Sequence, residues 1–115
     1  MIAEKFRKCI DACYNCADAC DHCATACLQE EHVHAMVTCI HLDRFCAEVC
    51  RMAASFMAKT SGIDHDGYVI RLCDLCAQVC DDCATECEKH DMEHCQACAE
   101  ACRRCASACR QMEAA

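Results

Sequence analysis

The sequence has no proline, no tryptophan and only 2 glycines, and it is poor in large apolar side chains. Leu, Ile, Val and Phe together supply 17 of the 115 residues. A domain of this size normally needs more of them to offset the conformational entropy lost on folding. The scarcity of proline and glycine argues against a disordered chain, a collagen-like repeat and a loop-rich β-sandwich or barrel. The interior must therefore be built from something other than branched aliphatic groups.

Positive charge and long hydrophobic runs are also scarce. The chain carries 11 Lys and Arg against 19 Asp and Glu, a net charge of −8. This balance predicts no nucleic-acid or membrane partner, because phosphate recognition requires basic patches. No run of 18 apolar residues is present, so no transmembrane helix is expected, and the first eight residues lack the features of an export signal. We therefore expect a cytoplasmic protein, whose cysteines stay as thiols in a reducing compartment.

Cysteine is the residue in excess, at 19 of 115 positions, an odd number that does not suit a closed disulfide framework. On three segments the cysteines follow one another at alternating steps of three and four residues. The average step of 3.5 is that of the buried seam of an α-helix in a bundle. The cysteines are Cys9, Cys13, Cys16, Cys20, Cys23, Cys27, Cys39, Cys46, Cys50, Cys73, Cys76, Cys80, Cys83, Cys87, Cys95, Cys98, Cys102, Cys105 and Cys109.

These patterns predict an all-α fold, an antiparallel up-down-up-down four-helix bundle with a cysteine-lined core. Short connections between long helices favour antiparallel neighbours. The longest break, near Thr60–Gly67, contains both glycines, Gly62 and Gly67. We expect one domain over residues 1–115, with helices near 3–29, 32–59, 66–89 and 91–112.

The second helix differs from the others because its seam carries three cysteines and also Asp43, to which the pattern assigns no role. It has a further apolar set on another face, which predicts that this helix forms a subunit interface. That set is Val33, Val37, Ile40, Leu42, Phe45, Val49, Met52 and Phe56.

A core lined with thiols is best explained by metal binding. Cysteine as a mere small hydrophobe would leave the core underpacked and prone to oxidation. Successive cysteines on one helix face have Cβ atoms roughly 5–6 Å apart, too far for the ~3.8 Å of a disulfide. Two metal–sulfur bonds of roughly 2.3 Å, by contrast, span that gap. Soft thiolates select Cu(I), zinc or iron–sulfur clusters, and the proline-containing loop spacings of clusters are missing here.

Charge favours Cu(I). One monovalent ion per thiolate leaves the interior neutral at any loading. About five tetrahedral zinc ions on 19 thiolates would leave a charge of about −9 inside the bundle. The alternatives that remain are a general thiolate buffer for zinc or other thiophilic metals and a thiol-based redox protein. An enzyme is not expected, because no nucleophile–base pair or phosphate loop is present.

With these features the chain resembles the bacterial copper storage proteins, cysteine-lined four-helix bundles, over essentially its whole length. The resemblance includes the stretch from Cys39 through Cys46 to Cys50. Because no export signal is recognised, the chain looks like the cytosolic branch of the family. This resemblance implies a homotetramer, many Cu(I) ions per chain bound by cysteine, a role in storage and detoxification, and no catalytic turnover.

The remaining soft ligands fall at one end of the predicted bundle, where the first and third connections meet. We interpret them as a mouth through which Cu(I) passes, since neutral imidazole and thioether groups hold the ion less tightly than thiolates. His32 and Met36 are favoured because the seam runs through them; the alternative is a set of solvated surface residues. The mouth residues are His32, His34, Met36, His90, Met92 and His94. The opposite end is predicted to be closed by apolar side chains, which are Ile2, Phe6, Met57, Val69, Leu72 and Met112.

Overall fold

The computed structural model describes residues 4–60 and 66–114, and the regular elements in these ranges are all helical. Helix α1 spans Glu4–Cys27, α2 Val37–Lys59, α3 Asp66–Cys87 and α4 Glu93–Ala114, and a short 3₁₀ turn at Val33–Met36 precedes α2. The predicted all-α bundle is confirmed. Ile2 and Gly62, which the sequence analysis singled out, lie outside the described residues.

Helices α1 and α3 end two residues earlier than the sequence suggested, α2 begins five residues later, and α4 is shifted by two residues, to Glu93–Ala114 instead of 91–112. After α1, Glu30 N donates to Cys27 O at 3.2 Å, and after α3, His90 N donates to Cys87 O at 3.1 Å. These hydrogen bonds, each from an amide to the carbonyl three residues earlier, tighten the last turn and satisfy carbonyls that the helix leaves free. Helix α2 begins at Val37 instead of near residue 32, because the preceding residues adopt the tighter 3₁₀ geometry.

The four helices form a closed ring. Each helix packs against its neighbours in the chain, and α1 also packs against α4. The result is a slender body of 50 × 19 × 18 Å. None of the helices in the described residues has the length and apolar character needed to cross a membrane. The α1–α2 and α3–α4 connections lie at one end of the ring, called the mouth below.

Buried alanines determine how closely the helices approach. Each helix has a pair of them seven residues apart, directly after positions of the buried seam. A methyl side chain lets neighbouring helices come close, so the thiols of the seam meet at the centre. These alanines, all at most 9% exposed, are Ala17, Ala24, Ala47, Ala54, Ala77, Ala84, Ala99 and Ala106.

The end opposite the mouth is closed by larger apolar groups. Phe6, Met57, Val69 and Met112 are buried there, and Leu72 packs against the same core. These are the described members of the predicted apolar closure. Among the described residues, this end of the core is therefore lined mainly by apolar side chains, and exchange of metal ions with solvent is expected at the mouth.

Exposed arginines connect the helices of each hairpin on the outside. Arg51 on α2 pairs with Asp18 at 3.3 Å and Asp21 at 2.8 Å on α1. Arg103 on α4 pairs with Glu88, which follows α3, at 2.9 Å. Exposed ion pairs contribute at most about 1 kcal/mol each. The stability of the bundle must therefore come chiefly from packing in its interior.

Candidate metal centre

All 19 cysteines lie in the interior, each at most 2% exposed, and all are free thiols. They occupy the axis of the bundle because every seam position of α1, α3 and α4 points to it. The placement that the three-four spacing predicted for the cysteines is thus observed. No water-exposed thiol competes with the core as a first site for a metal ion.

The sulfur atoms form a continuous network along this axis. On α2, Cys46 and Cys50 Sγ lie 3.9 Å apart. Between helices, Cys46 Sγ lies 3.5 Å from Cys80 Sγ and 3.8 Å from Cys16 Sγ, and Cys50 Sγ lies 3.8 Å from Cys105 Sγ. A three-coordinate metal with bonds of about 2.3 Å would place its sulfurs about 4 Å apart. The interior therefore has ligand spacing that a metal ion can use with little rearrangement.

Groups of four sulfurs lie within 4.8 Å of one another at successive levels. Each of the five groups named below draws on three helices, a feature that spacing along one helix could not reveal. Four thiols, Cys16, Cys20, Cys46 and Cys102, belong to at least two groups each, so full occupancy requires bridging thiolates. The groups include Cys13, Cys76, Cys105 and Cys109; Cys16, Cys20, Cys46 and Cys102; Cys16, Cys46, Cys50 and Cys80; Cys20, Cys83, Cys98 and Cys102; and Cys23, Cys27, Cys39 and Cys95.

One carboxyl group lies among these sulfurs. Asp43 is fully buried, and its Oδ1 accepts from Cys83 Sγ at 3.1 Å, Cys98 Sγ at 3.3 Å and Cys87 Sγ at 3.7 Å. Burial, together with the nearby Cys98 sulfur, raises the pKa of Asp43 to about 8. Asp43 therefore places a carboxyl oxygen, a possible metal ligand, among the thiols of α3 and α4.

His94 is the histidine that meets the thiols at the mouth. Its Nδ1 lies 3.5 Å from Cys23 Sγ, 3.6 Å from Cys95 Sγ and 4.0 Å from Cys27 Sγ. Its Nε2 lies 2.9 Å from Glu30 Oε1. The imidazole therefore covers the outermost group of four thiols and links it to a carboxylate at the surface.

The other predicted mouth residues are placed less uniformly. Met36 is 1% exposed and belongs to the core, and Met92 packs partly buried against that core. His90 is partly buried, whereas His32 and His34 are exposed. Within residues 4–60 and 66–114, His94 is the histidine that hydrogen-bonds a thiol. His32, which the seam pattern favoured, is exposed to solvent.

The protonation of the mouth thiols follows from their surroundings. Burial raises the pKa of Cys27 and raises that of Cys95 to about 11. Hydrogen bonds from Cys23 and Cys87 lower the pKa of Cys39. Cys27 and Cys95 therefore remain protonated at neutral pH until a metal ion displaces the proton.

Two residues of this site were not identified from the sequence. Asp43 lies on the seam, but a helical period leaves the exact rotation of α2 open, so it had no assigned role. Glu30 follows the last residue of α1 by three positions, and only the turn that it forms brings its carboxylate to His94. The sequence offers no signal for a contact made across such a turn.

Fold and site together define a class of protein: a helical bundle whose axis is a column of bridging thiols, suited to many soft metal ions at once. Comparison with known proteins narrows this class. The sequence model described as "copper storage protein" matches residues 2–114. The chain belongs to the copper storage protein family.

Solved structures of copper storage proteins are similar to this chain over nearly its whole length, and a curated relative is similar over part of it. A cytosolic copper storage protein from Streptomyces lividans, with five coppers, superposes with a TM-score of 0.93 at 40% identity, covering 97% of this chain and 94% of that one. The Cu(I)-bound copper storage protein BsCsp3 superposes with a TM-score of 0.85 at 44% identity, covering 96% and 99%. The uncharacterized cysteine-rich protein YhjQ of Bacillus subtilis is 48% identical over 71 residues. That alignment spans 62% of this chain and 61% of the relative.

Proposed function

We propose that this protein binds Cu(I) at high capacity inside the bundle, about one ion per cysteine, and serves copper storage and detoxification without catalytic turnover. The observation that carries the proposal is the set of 19 buried, free thiols, many of whose sulfurs lie in groups within 4.8 Å of one another. The Cu(I)-bound and copper-loaded relatives support the choice of metal. Similarity to a protein described as cytosolic supports the cytoplasm as its compartment.

The shared thiols favour Cu(I) over zinc. Tetrahedral zinc with four thiolates carries two negative charges per site, and uncompensated charge in a bundle interior costs several kcal/mol per ion. Within the described residues, the buried core contains no lysine or arginine to balance that charge. Cu(I) bound by bridging thiolates stays neutral while each sulfur serves two ions. A general thiolate buffer for zinc is the alternative that the experiment below must distinguish.

The mouth gives the proposed store its route for copper. All 19 cysteines serve as ligands in this proposal. His94 receives Cu(I) first, since its Nδ1 lies 3.5–4.0 Å from three thiol sulfurs. Met36 and Met92 add thioethers at the same end, and His90 and His32 add further imidazoles. Copper would then pass inward through successive groups of sulfurs that lie within 4.8 Å of one another.

We also propose that α2 forms an interface in a homo-oligomer, a tetramer by family resemblance. Phe45 and Met52, seven residues apart on α2, are 62% and 51% exposed. On the neighbouring helix α3, Tyr68 and Leu75, also seven apart, are 59% and 50% exposed. Large apolar groups grouped on adjoining helices are typical of a surface that a partner covers.

The test is an anaerobic titration of the fully reduced protein with Cu(I) and, separately, with Zn(II), followed by desalting and elemental analysis. Retention of about one Cu(I) per cysteine against a competing chelator is expected, with a zinc number about one third as large. A plateau at the same small number for both metals would show a general thiolate buffer and end the storage proposal.

A further inference from the structure

His94 lies between two different chemical surroundings. It belongs to the first turn of α4, and its side chain is 14% exposed. On the inner side, Nδ1 faces the sulfurs of Cys23, Cys27 and Cys95 at 3.5–4.0 Å. On the outer side, Nε2 lies 2.9 Å from Glu30 Oε1.

The outer contact determines what the inner nitrogen can do. A carboxylate has acceptor oxygens and no proton to give, so Nε2–H donates to Glu30. A neutral imidazole carries one proton, and Nδ1 is then left with a free lone pair directed at the thiols. Metal-binding histidines commonly have their other N–H held by a carboxylate, which fixes ring orientation and tautomer and makes the ligand more basic.

We propose that Glu30 is a positioning residue for copper uptake: it holds His94 so that the bare Nδ1, and not an N–H, meets each incoming Cu(I). This inference rests on the proposed function. Glu30 does not touch the thiols and acts through the imidazole.

The turn after α1 supports this role by anchoring Glu30. Glu30 N donates to Cys27 O at 3.2 Å, and Gln29 N donates to Ala26 O at 3.0 Å. The backbone of Cys27 therefore fixes the turn that carries the carboxylate, while the Cys27 sulfur faces the imidazole that this carboxylate holds. The end of α1 and the start of α4 are joined through one hydrogen-bonded unit at the mouth.

A second carboxylate–imidazole pair at the mouth provides a matched control. His90 Nε2 lies 2.9 Å from Glu86 Oε2, and the two side chains are 15% and 13% exposed. Within the described ranges, however, no hydrogen bond joins His90 to a thiol. The two pairs share chemistry, distance and burial of the imidazole, and they differ in whether the ring reaches the sulfurs.

The experiment compares Glu30→Ala and Glu30→Gln with Glu86→Ala in the full-length protein. The His94 tautomer is read from 15N shifts of the ring nitrogens in reduced, metal-free protein, with His94→Ala used to assign the signals. Affinity for the first Cu(I) is measured by competition with a chelator, and final capacity by elemental analysis.

We expect one His94 species in the wild-type protein, protonated at Nε2. In Glu30→Ala that state gives way to a mixture, and affinity for the first Cu(I) falls about 10- to 100-fold. Glu30→Gln, whose amide can accept or donate, should lie between the two. Glu86→Ala should leave the His94 signals and the first-ion affinity at wild-type values.

The inference would be overturned if Glu30→Ala kept the wild-type His94 tautomer and the wild-type affinity for the first Cu(I). It would also be overturned if Glu86→Ala lost as much affinity as Glu30→Ala, because that would indicate a general effect of charge at the mouth. Capacity is unchanged in all variants if the inference holds. Low capacity of the wild-type protein itself would overturn the proposed function instead, while the tautomer, read without copper, still decides whether Glu30 positions His94.

Discussion

At the scale of single residues, the burial of Asp43 carries a large free-energy cost. Among the residues that the structure describes, Asp43 is the one acidic side chain that is fully buried, and several thiols donate hydrogen bonds to it. A carboxylate without a cationic partner in such a core costs far more than its neutral form. The protein meets this cost by keeping the group protonated, which is why its pKa rises to about 8.

This makes the stability of the metal-free protein depend on pH. The ordinary aspartate pKa is 3.8 and the folded-state pKa is about 8, so the folded state binds the extra proton between these values. The stability linked to Asp43 is fully present below about pH 4 and is lost as pH rises toward 8. Each unit of difference corresponds to about 1.4 kcal/mol.

We therefore expect the thermal unfolding temperature of the reduced, metal-free wild-type protein to decrease as the pH is raised from 5 to 8. Asp43→Asn, which keeps an oxygen acceptor for the thiols but does not titrate, should be nearly flat over the same range and more stable than wild type at pH 8. Thermal scans followed by circular dichroism measure both. Equal slopes for the two proteins would show that Asp43 is not the group responsible.

At the scale of helices, the two long sides of the bundle differ in character. The α2 and α3 helices present Phe45, Met52 and Leu75 to solvent. The groove between α1 and α4 is lined by small or charged groups such as Ala12 and Arg104. A bundle that used all sides alike for assembly would not show this asymmetry, so assembly is expected through α2.

The prediction at this scale concerns Phe45→Glu combined with Met52→Glu. Two carboxylates on the exposed face of α2 should prevent subunit contact and yield a smaller particle by light scattering after size exclusion. Tyr14→Glu, on α1 at a side chain 46% exposed, is the matched control and should leave the size unchanged. A wild-type protein that is already a monomer, or a double variant of unchanged size, would refute the α2 interface.

The same scale shows where sequence reasoning succeeds and where it stops. Within a helix, the period fixes which residues share a face, so the burial of Cys16 or Cys102 could be predicted. In the connections between helices no such period exists, and the sequence does not show which way a side chain there points. His32 precedes a 3₁₀ turn and is exposed, whereas His94, in the first turn of α4, reaches the sulfurs. The partnership of His94 with Glu30 depends on how a turn closes, and contacts between helices depend on a rotation that spacing leaves open.

For the whole molecule, folding and metal loading are separable. Protonated cysteine behaves as a small apolar residue, and the buried alanines and the apolar closure already supply a packed interior without metal. The bundle thus differs from small zinc domains, which are unfolded until the ion binds. Copper then enters a preformed column, and the main chemical cost of loading is removal of thiol protons.

Because thiol protons must be removed, the affinity for copper should increase as the pH rises. Burial raises the pKa of Cys27 and raises that of Cys95 to about 11, so these mouth thiols are protonated through neutral pH. Each Cu(I)–thiolate bond that they form releases a proton, and apparent affinity rises up to about tenfold per pH unit for each proton released. The gain should end only as pH approaches the raised pKa values.

Competition with a Cu(I) chelator between about pH 6 and pH 9, after correction for protonation of the chelator, measures this slope. A parallel record of circular dichroism in the metal-free protein separates proton release from folding, since helicity should stay constant over the range. Affinity that does not change with pH would mean that the thiols are already ionised in the metal-free core. A slope that appears only where helicity also changes would mean instead that copper binding and folding are one event, and that the column of thiols does not exist before the metal arrives.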